Sequence, residues 1–253
     1  MLQNLYLYTL LFFILAKIFR FMKFSSFLYL LILLCAINNY SQTFPVHKIN
    51  DKIIIDGDLS DWKTPFTGPF VIHNSGEKAT QKTFVSLSWN DENLYIGYRS
   101  EDSKIIGKPQ PKDSKIYETD DLVEIFIDPD GDGKNYVEIG VNAFSTNYDM
   151  LLKCISPGCG GWNTSMNFTI AGLEAISKIT PEGFCSEIKI PFSSLEKIEN
   201  GNFIKPKTGT KWKANTFRID YGNTTEYLAL QDYKSLKFGF HHPDEFAVFE
   251  FVE

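Results

Sequence analysis

The chain has 253 residues, of which 43% are hydrophobic and 22% charged, and its formal net charge is −6 at pH 7. That balance belongs to a folded globular chain and excludes a disordered one. Past the N-terminus no lysine or arginine cluster stands out, so the basic stripe that neutralises nucleic-acid phosphates is missing and no nucleic-acid partner is expected.

The N-terminus carries two apolar stretches, "LYLYTLLFFILAKIFRF" and "FLYLLILLCAI", with Lys17, Arg20 and Lys23 around their junction. The second follows "MKFSS" and leads into "NNYSQTFP". A basic start, a short apolar core and then small and polar residues form the layout of a secretory signal. Its apolar core of roughly ten residues is short for a bilayer span. Residues 1–44 are therefore read as a targeting segment, with a true start at Met22 and cleavage near Ser41 or Gln42; a pair of membrane helices is the other reading. Leu34 before Cys35 is larger than a lipid-attachment site prefers. This predicts a secreted, periplasmic or cell-surface protein that meets a membrane only through this segment. Export permits disulfides. Of Cys154, Cys159 and Cys185, the first two bracket the turn-like "ISPG", and one thiol is left over. No Cys/His spacing suits zinc.

From Pro45 the periodicity is that of strands. "KIIIDG" is a short apolar run closed by a turn. "FVSLSWNDENLYIGYRS" reads as a hairpin whose "NDEN" turn uses side-chain bonds to nearby backbone. "LVEIFI", "YVEIGVNA", "FTIAGLEAISKI", "FCSEIKIPF", "WKANTFRIDYG" and "FAVFEFVE" follow. Short strands at regular spacing predict an all-β chain, an antiparallel β-sandwich of jelly-roll or immunoglobulin-like type, as one domain over residues 45–253. "PFSSLEKI" predicts a single helical turn capped by Ser193 or Ser194.

The stretch "EIFIDPDGDGKNYVEIGVNA", residues 124–143, concentrates the chemistry. Strand alternation puts Val123, Ile125 and Ile127 on one face with Val137, Ile139 and Val141, and Glu124, Phe126, Tyr136 and Glu138 on the other. Glu124 and Glu138 then lie opposite or diagonal, which is unfavourable unless something sits between them. A cation, a polar ligand or Arg99 would serve; a solvated outer face is the plainer alternative. Asp128, Asp130, Asp132 and Gly133 match the first half of an EF-hand loop. Ile139 stands where the bidentate glutamate belongs, and no helices flank the loop, so an EF-hand is excluded. A simpler calcium site on the three aspartates remains, against a plain glycine-rich turn. No organic cofactor is expected.

In chain order, "IIIDGDLSDW", "WNDENLYIGY", "DDLVEIFIDPDGDGKNYVEIGVNA", "GFCSEIKIPFSSL", "GTKWKANTFRID" and "HHPDEFAVFEF" resemble the family 9 carbohydrate-binding modules, within a wider group of DOMON-like β-sandwich domains. The resemblance covers residues 46–253. It implies a calcium-bearing sandwich that holds the end of a sugar chain between two aromatic side chains, with charged or amide groups on the hydroxyls. Carried over, the strand glutamate is Glu124 and one aromatic is Phe240. The other falls at Glu118, beside Tyr117. Glu138 stands where the family has an arginine, reversing the charge.

Trp162, in "CGGWNTS", is an aromatic in a glycine-rich loop, a placement that suits ligand contact. Trp62, Trp89 and Trp212 sit in strand contexts and are expected in the core, with Tyr148 intermediate. The candidate ligand-binding set is thus Glu124, Asn142, Trp162, Phe240, Arg99 and Tyr117, in a monomeric module that captures poly- or oligosaccharide in carbohydrate catabolism. Related modules are attached to O-glycosyl hydrolases, and Glu124 with Glu138 offers a glycosidase alternative. A haem-binding electron carrier, using Met150, Met166, His241 or His242, is the third reading.

Overall fold

A computed structural model describes residues 41–253 except 157–158, 160, 199–202 and 234–237; the expectations for residues 1–40, including Met22 and Cys35, lie outside the described residues. Among the described residues thirteen strands form one curled sheet. They are β1 (Thr43–Lys48), β2 (Val71–Ile72), β3 (Thr83–Trp89), β4 (Asn93–Glu101), β5 (Leu122–Asp128), β6 (Asn135–Asn142) and β7 (Asn147–Cys154). β8 (Trp162–Ser165), β9 (Glu174–Thr180), β10 (Gly183–Pro191), β11 (Lys211–Asp220), β12 (Glu226–Ala229) and β13 (Ala247–Val252) complete it. Among the described residues the only α-helix is α1, Phe192–Leu195, and no helix is long and apolar enough to cross a membrane.

The order β8-β7-β6-β5-β11-β13-β1-β3-β4-β10-β9 folds over on itself as a sandwich, with β12 joining β11 to β2. The antiparallel expectation holds except at β1, which pairs in parallel with both β13 and β3. No tight turn links β1 to either neighbour, so nothing imposes an antiparallel run there. The β3–β4 turn forms as the sequence implies: Asn90 Oδ1 accepts the amides of Glu92 and Asn93 at 3.0 and 2.8 Å. The helical turn also forms, but neither serine caps it. Its N-cap position is Pro191, and Ser194 Oγ instead donates to Ala171 O.

Val123, Ile125, Ile127, Val137, Ile139 and Val141 all enter the inter-sheet core beside Leu87, Leu94, Ile96, Ile188 and Ile190. Each such aliphatic, fully buried, contributes roughly 1.5–3 kcal/mol. Trp62, Trp89 and Trp212 are buried as expected. Tyr98 crosses between the halves, its hydroxyl 2.6 Å from Thr216 Oγ1 and donating to Glu124 O. A buried hydroxyl with partners on the opposite sheet keeps the two layers in register.

The other face of β5–β7 and β11 is not bare. A second apolar layer covers it, built from Leu122, Phe126, Tyr136, Tyr148, Met150, Leu152, Phe217 and Ile219 below, and from Ile116, Tyr233, Phe240 and Phe246 on crossing segments above. The solvated outer face allowed by the strand pattern is therefore replaced by a covered one.

Candidate functional site

Within that second layer lies a cavity of about 220 Å³. Glu124, Phe126, Glu138, Met150 and Ile219 reach it from the strands, Thr164 from β8, Tyr117 from a 3-10 turn (Ile116–Glu118), and Phe240 and His241 from the closing segment. Phe240 stacks on Phe217 at 4.2 Å, and Tyr117 packs edge-on to Tyr148 at 5.4 Å.

In the β5–β6 register Glu124 pairs with Gly140 and Phe126 with Glu138, so the two acids are diagonal neighbours on one face. What stands between them is Tyr148. Its hydroxyl lies 2.5 Å from Glu124 Oε1 and 2.6 Å from Glu138 Oε1. Burial raises the Glu124 carboxyl to about 7 and that of Glu138 well above its ordinary value, and the phenol is raised too. A phenol has one proton to donate. The second short contact is a hydrogen bond only when one glutamate carries a proton, which the raised carboxyls favour. The trio thus holds one negative charge near neutrality. Glu138 Oε2 is buried without a hydrogen-bond partner, 3.9 Å from His241 Nε2. His241 lies 2.7 Å from the Tyr136 hydroxyl through Nδ1 and stacks on Phe126. Burial first, and then the neighbouring His242, lower the His241 imidazole below its ordinary 6.5, so it is neutral at pH 7.

The other sequence candidates fall elsewhere. Arg99 does not reach the acids. It is exposed on β4, its guanidinium 5.2 Å from the rings of both Phe66 and Phe84. Its strand β4 lies on the other half of the curled sheet, away from Glu124. Asn142 is fully buried, donating to Asp120 and to Lys108 O and accepting the amides of Phe144 and Thr146. Its amide is consumed in shaping the β6–β7 turn. Trp162 opens strand β8 rather than sitting in a loop. It packs edge-on against Tyr136 at 5.0 Å and lines a neighbouring cavity of about 610 Å³. That cavity shares His241 with the smaller one and is edged by the Cys154–Cys159 disulfide, while Cys185 is free.

Thr164 and Ile219 were not named from the sequence, and Tyr148, His241 and Met150 were not in the expected saccharide-binding set. Gly140 was the available signal for Tyr148, because a glycine inside a strand marks a close approach. Met150 and His241, weighed as haem ligands, do line the same cavity, but its volume of about 220 Å³ is small for a macrocycle. The two acids hold a single phenol between them instead of straddling a space for a scissile bond.

At the β5–β6 turn the carboxylate oxygens of Asp128, Asp130 and Asp132 lie within 4.8 Å of one another. Asp128 accepts the amides of Gly131 and Gly133 at 2.9 Å each, and both glycines have φ of 70°, a conformation that other residues adopt at a cost. Burial raises the Asp128 carboxyl to about 7. Three converging carboxylates are a donor set for a hard cation, and calcium fits it. A second trio, Asp102, Asp121 and Asp220, is fully buried but already contains a cation: Arg218 donates to Asp102 at 3.0 Å and to Asp220 at 2.9 Å.

A curled β-sandwich with a small aromatic-walled cavity over paired carboxylates defines a ligand-binding module. The family model described as "Carbohydrate family 9 binding domain-like" matches residues 55–252, and the chain belongs to that family. Among curated proteins it is 28% identical over 155 residues to endo-1,4-beta-xylanase A of Thermoanaerobacterium saccharolyticum and to exoglucanase XynX of Acetivibrio thermocellus. Each match covers 60% of this chain but only 12% of the relative. Its fold is shared with a candidate carbohydrate-binding protein from Bacteroides uniformis, at TM-score 0.67 and 15% identity over 83% of this chain and 99% of that one. A family 9 carbohydrate-binding module from Caldicellulosiruptor kristjanssonii, solved with glucose and with cellotriose, aligns at TM-score 0.58 in both cases. Identity there is 18% and 17%, over 83% of this chain and 95% and 94% of the other.

Proposed function

We propose that this chain is a secreted, non-catalytic carbohydrate-binding module that captures the end of an oligosaccharide in the cavity above Glu124 and serves carbohydrate catabolism. The observation that carries the reading is the meeting of Tyr117, Phe240 and Glu124 around one cavity of about 220 Å³. Ligand pockets of about 300–1,000 Å³ take drug-sized molecules, so this one is sized for a single ring. Aromatic walls suit the C–H faces of a pyranose, and carboxyl groups suit its hydroxyls. Glucose and cellotriose in the similar Caldicellulosiruptor module support a saccharide ligand.

Calcium at Asp128, Asp130 and Asp132 is part of the proposal. When bound it would supply positive charge that neutralises the turn and holds β5 to β6, a structural role.

The test is titration calorimetry with glucose and cellotriose, supported by a glycan array. Binding is expected, and Tyr117→Ala, at a partly exposed position that tolerates truncation, weakens it at least tenfold. A protein that retains no saccharide on the array removes the reading.

A further inference from the structure

We infer that the cavity selects a sugar that carries a protonated amine, and that the ammonium lodges between Glu138 Oε2 and His241. The inference rests on the carbohydrate-binding reading and names the substrate class of the same site.

The argument begins with charge. Glu124 and Glu138 are 2% and 3% exposed, and among the described residues neither pairs with a lysine or arginine. The groups that face them can be named element by element. β6 supplies Tyr136, β7 supplies Tyr148, the 3-10 turn supplies Tyr117, and the closing segment supplies His241. β11 and β8 contribute only Ile219 and Thr164 to the cavity wall. None of these is a cation at neutral pH, because the imidazole is neutral and the phenols stay protonated. A carboxylate in such a site lacks the paired charge that buried ions ordinarily have.

A sugar hydroxyl would satisfy a lone pair on Glu138 but would leave the single negative charge of the trio uncompensated. An ammonium does both, because it donates up to three hydrogen bonds and carries the missing positive charge. The position for it is already marked. Glu138 lines the cavity, its Oε2 is buried with no hydrogen-bond partner, and that oxygen stands 3.9 Å from His241 Nε2, too far for a direct hydrogen bond. A small donor seated beside His241, which lines the same cavity, is the partner that oxygen lacks. Thr164 adds a hydroxyl to the same cavity. Phe126, Met150, Ile219 and Phe240 keep the surroundings apolar, which strengthens the pairing.

There is a proton consequence. The free trio of Glu124, Tyr148 and Glu138 shares one acidic proton beyond the phenolic one, and a bound ammonium favours ionisation of the second carboxyl. Binding an amine therefore releases a proton, whereas binding a neutral sugar does not.

The experiment compares glucosamine, glucose and N-acetylglucosamine on the intact chain at pH 7, by calorimetry in two buffers of different ionisation enthalpy. Glucosamine is expected to bind at least tenfold more tightly than either neutral sugar, with proton release seen for it alone, and Glu138→Gln is expected to erase the preference. Equal or tighter binding of glucose or N-acetylglucosamine by the wild-type chain overturns the inference and leaves the carbohydrate-binding reading standing. Failure of all three sugars, together with cellotriose, overturns both. The wild-type comparison decides the matter even if the glutamine variant fails to fold.

Discussion

The ring of Tyr148 lies directly over Gly140: a Cβ at Gly140 would fall 2.3 Å from Tyr148 Cε1. The two residues are register partners across β6 and β7, and the missing side chain lets the phenol reach both glutamates. Gly140→Ala should therefore push Tyr148 out of its place. Overpacking of this kind costs about 1–3 kcal/mol, and a domain of this size loses about 2–4 °C in Tm for each kcal/mol. A melting curve should show that loss, and glucose titration should show affinity lowered beyond tenfold. An alanine variant with wild-type melting and binding would mean that the phenol is not held by this contact.

Burial of the carboxylate pair predicts how stability depends on pH. Burial first of all, partly opposed by the Tyr148 hydrogen bond, raises Glu124 from its ordinary 4.5 to about 7. A carboxyl with a raised folded-state pKa holds its proton where the unfolded chain has already lost it. Its favourable contribution is complete below about pH 4.5 and is lost as pH rises through 7. The span is on the order of 3 kcal/mol for Glu124, and Glu138 and Asp121 are raised in the same direction. Tm should fall from pH 5 to pH 8, and Glu124→Gln should flatten the slope. A Tm that climbs through this window contradicts the assignment.

Calcium should stabilise the β5–β6 turn. A ligand at one hundred times its Kd adds about 2.7 kcal/mol, which corresponds to several degrees of Tm. Adding calcium after chelation should restore that increment in the wild-type chain and should not do so in Asp128→Asn. An unchanged melt after chelation and calcium repletion, with metal analysis showing none bound, would reduce the aspartates to a solubilising turn.

Trp162 lines the larger cavity and not the smaller one, and the two share His241. Trp162→Ala is expected to leave glucose affinity within about twofold and to weaken cellotriose severalfold, since stacked aromatic contacts contribute about 0.5–1.5 kcal/mol. Equal losses for both sugars would place Trp162 at the terminal ring, and no loss for either would confine it to packing on Tyr136.

Much of the architecture is legible in the residue pattern. Six branched aliphatics at every second position of β5 and β6 have a single face to share, and a one-residue slip would bury the acids in the sandwich core instead. The Asn90 turn and the glycines after Asp128 follow equally from local chemistry. The parallel seating of β1 was not legible, because no local turn records the direction of a strand whose partners lie far along the chain.

The site divides along the same line. Glu124, Tyr117 and Phe240 were named from the chain and meet at one cavity, whereas Arg99 and Asn142 were named with them and do not. Strand parity says which residues share a face, but not which half of a curled sheet they occupy.

Local alternation and turn chemistry, both short-range, determined β3 to β6, β9 to β11 and β13, the buried aliphatic face and the shared second face of Glu124 and Glu138. Only the tertiary structure decided that the segments bearing Tyr117, Phe240 and His241 fold over that second face, leaving a cavity with two acids and, among the described residues, no lysine or arginine in its wall. The physical reason is that covering a face is a matter of long-range packing, where apolar area gained by distant segments outweighs what any strand encodes about its own surroundings.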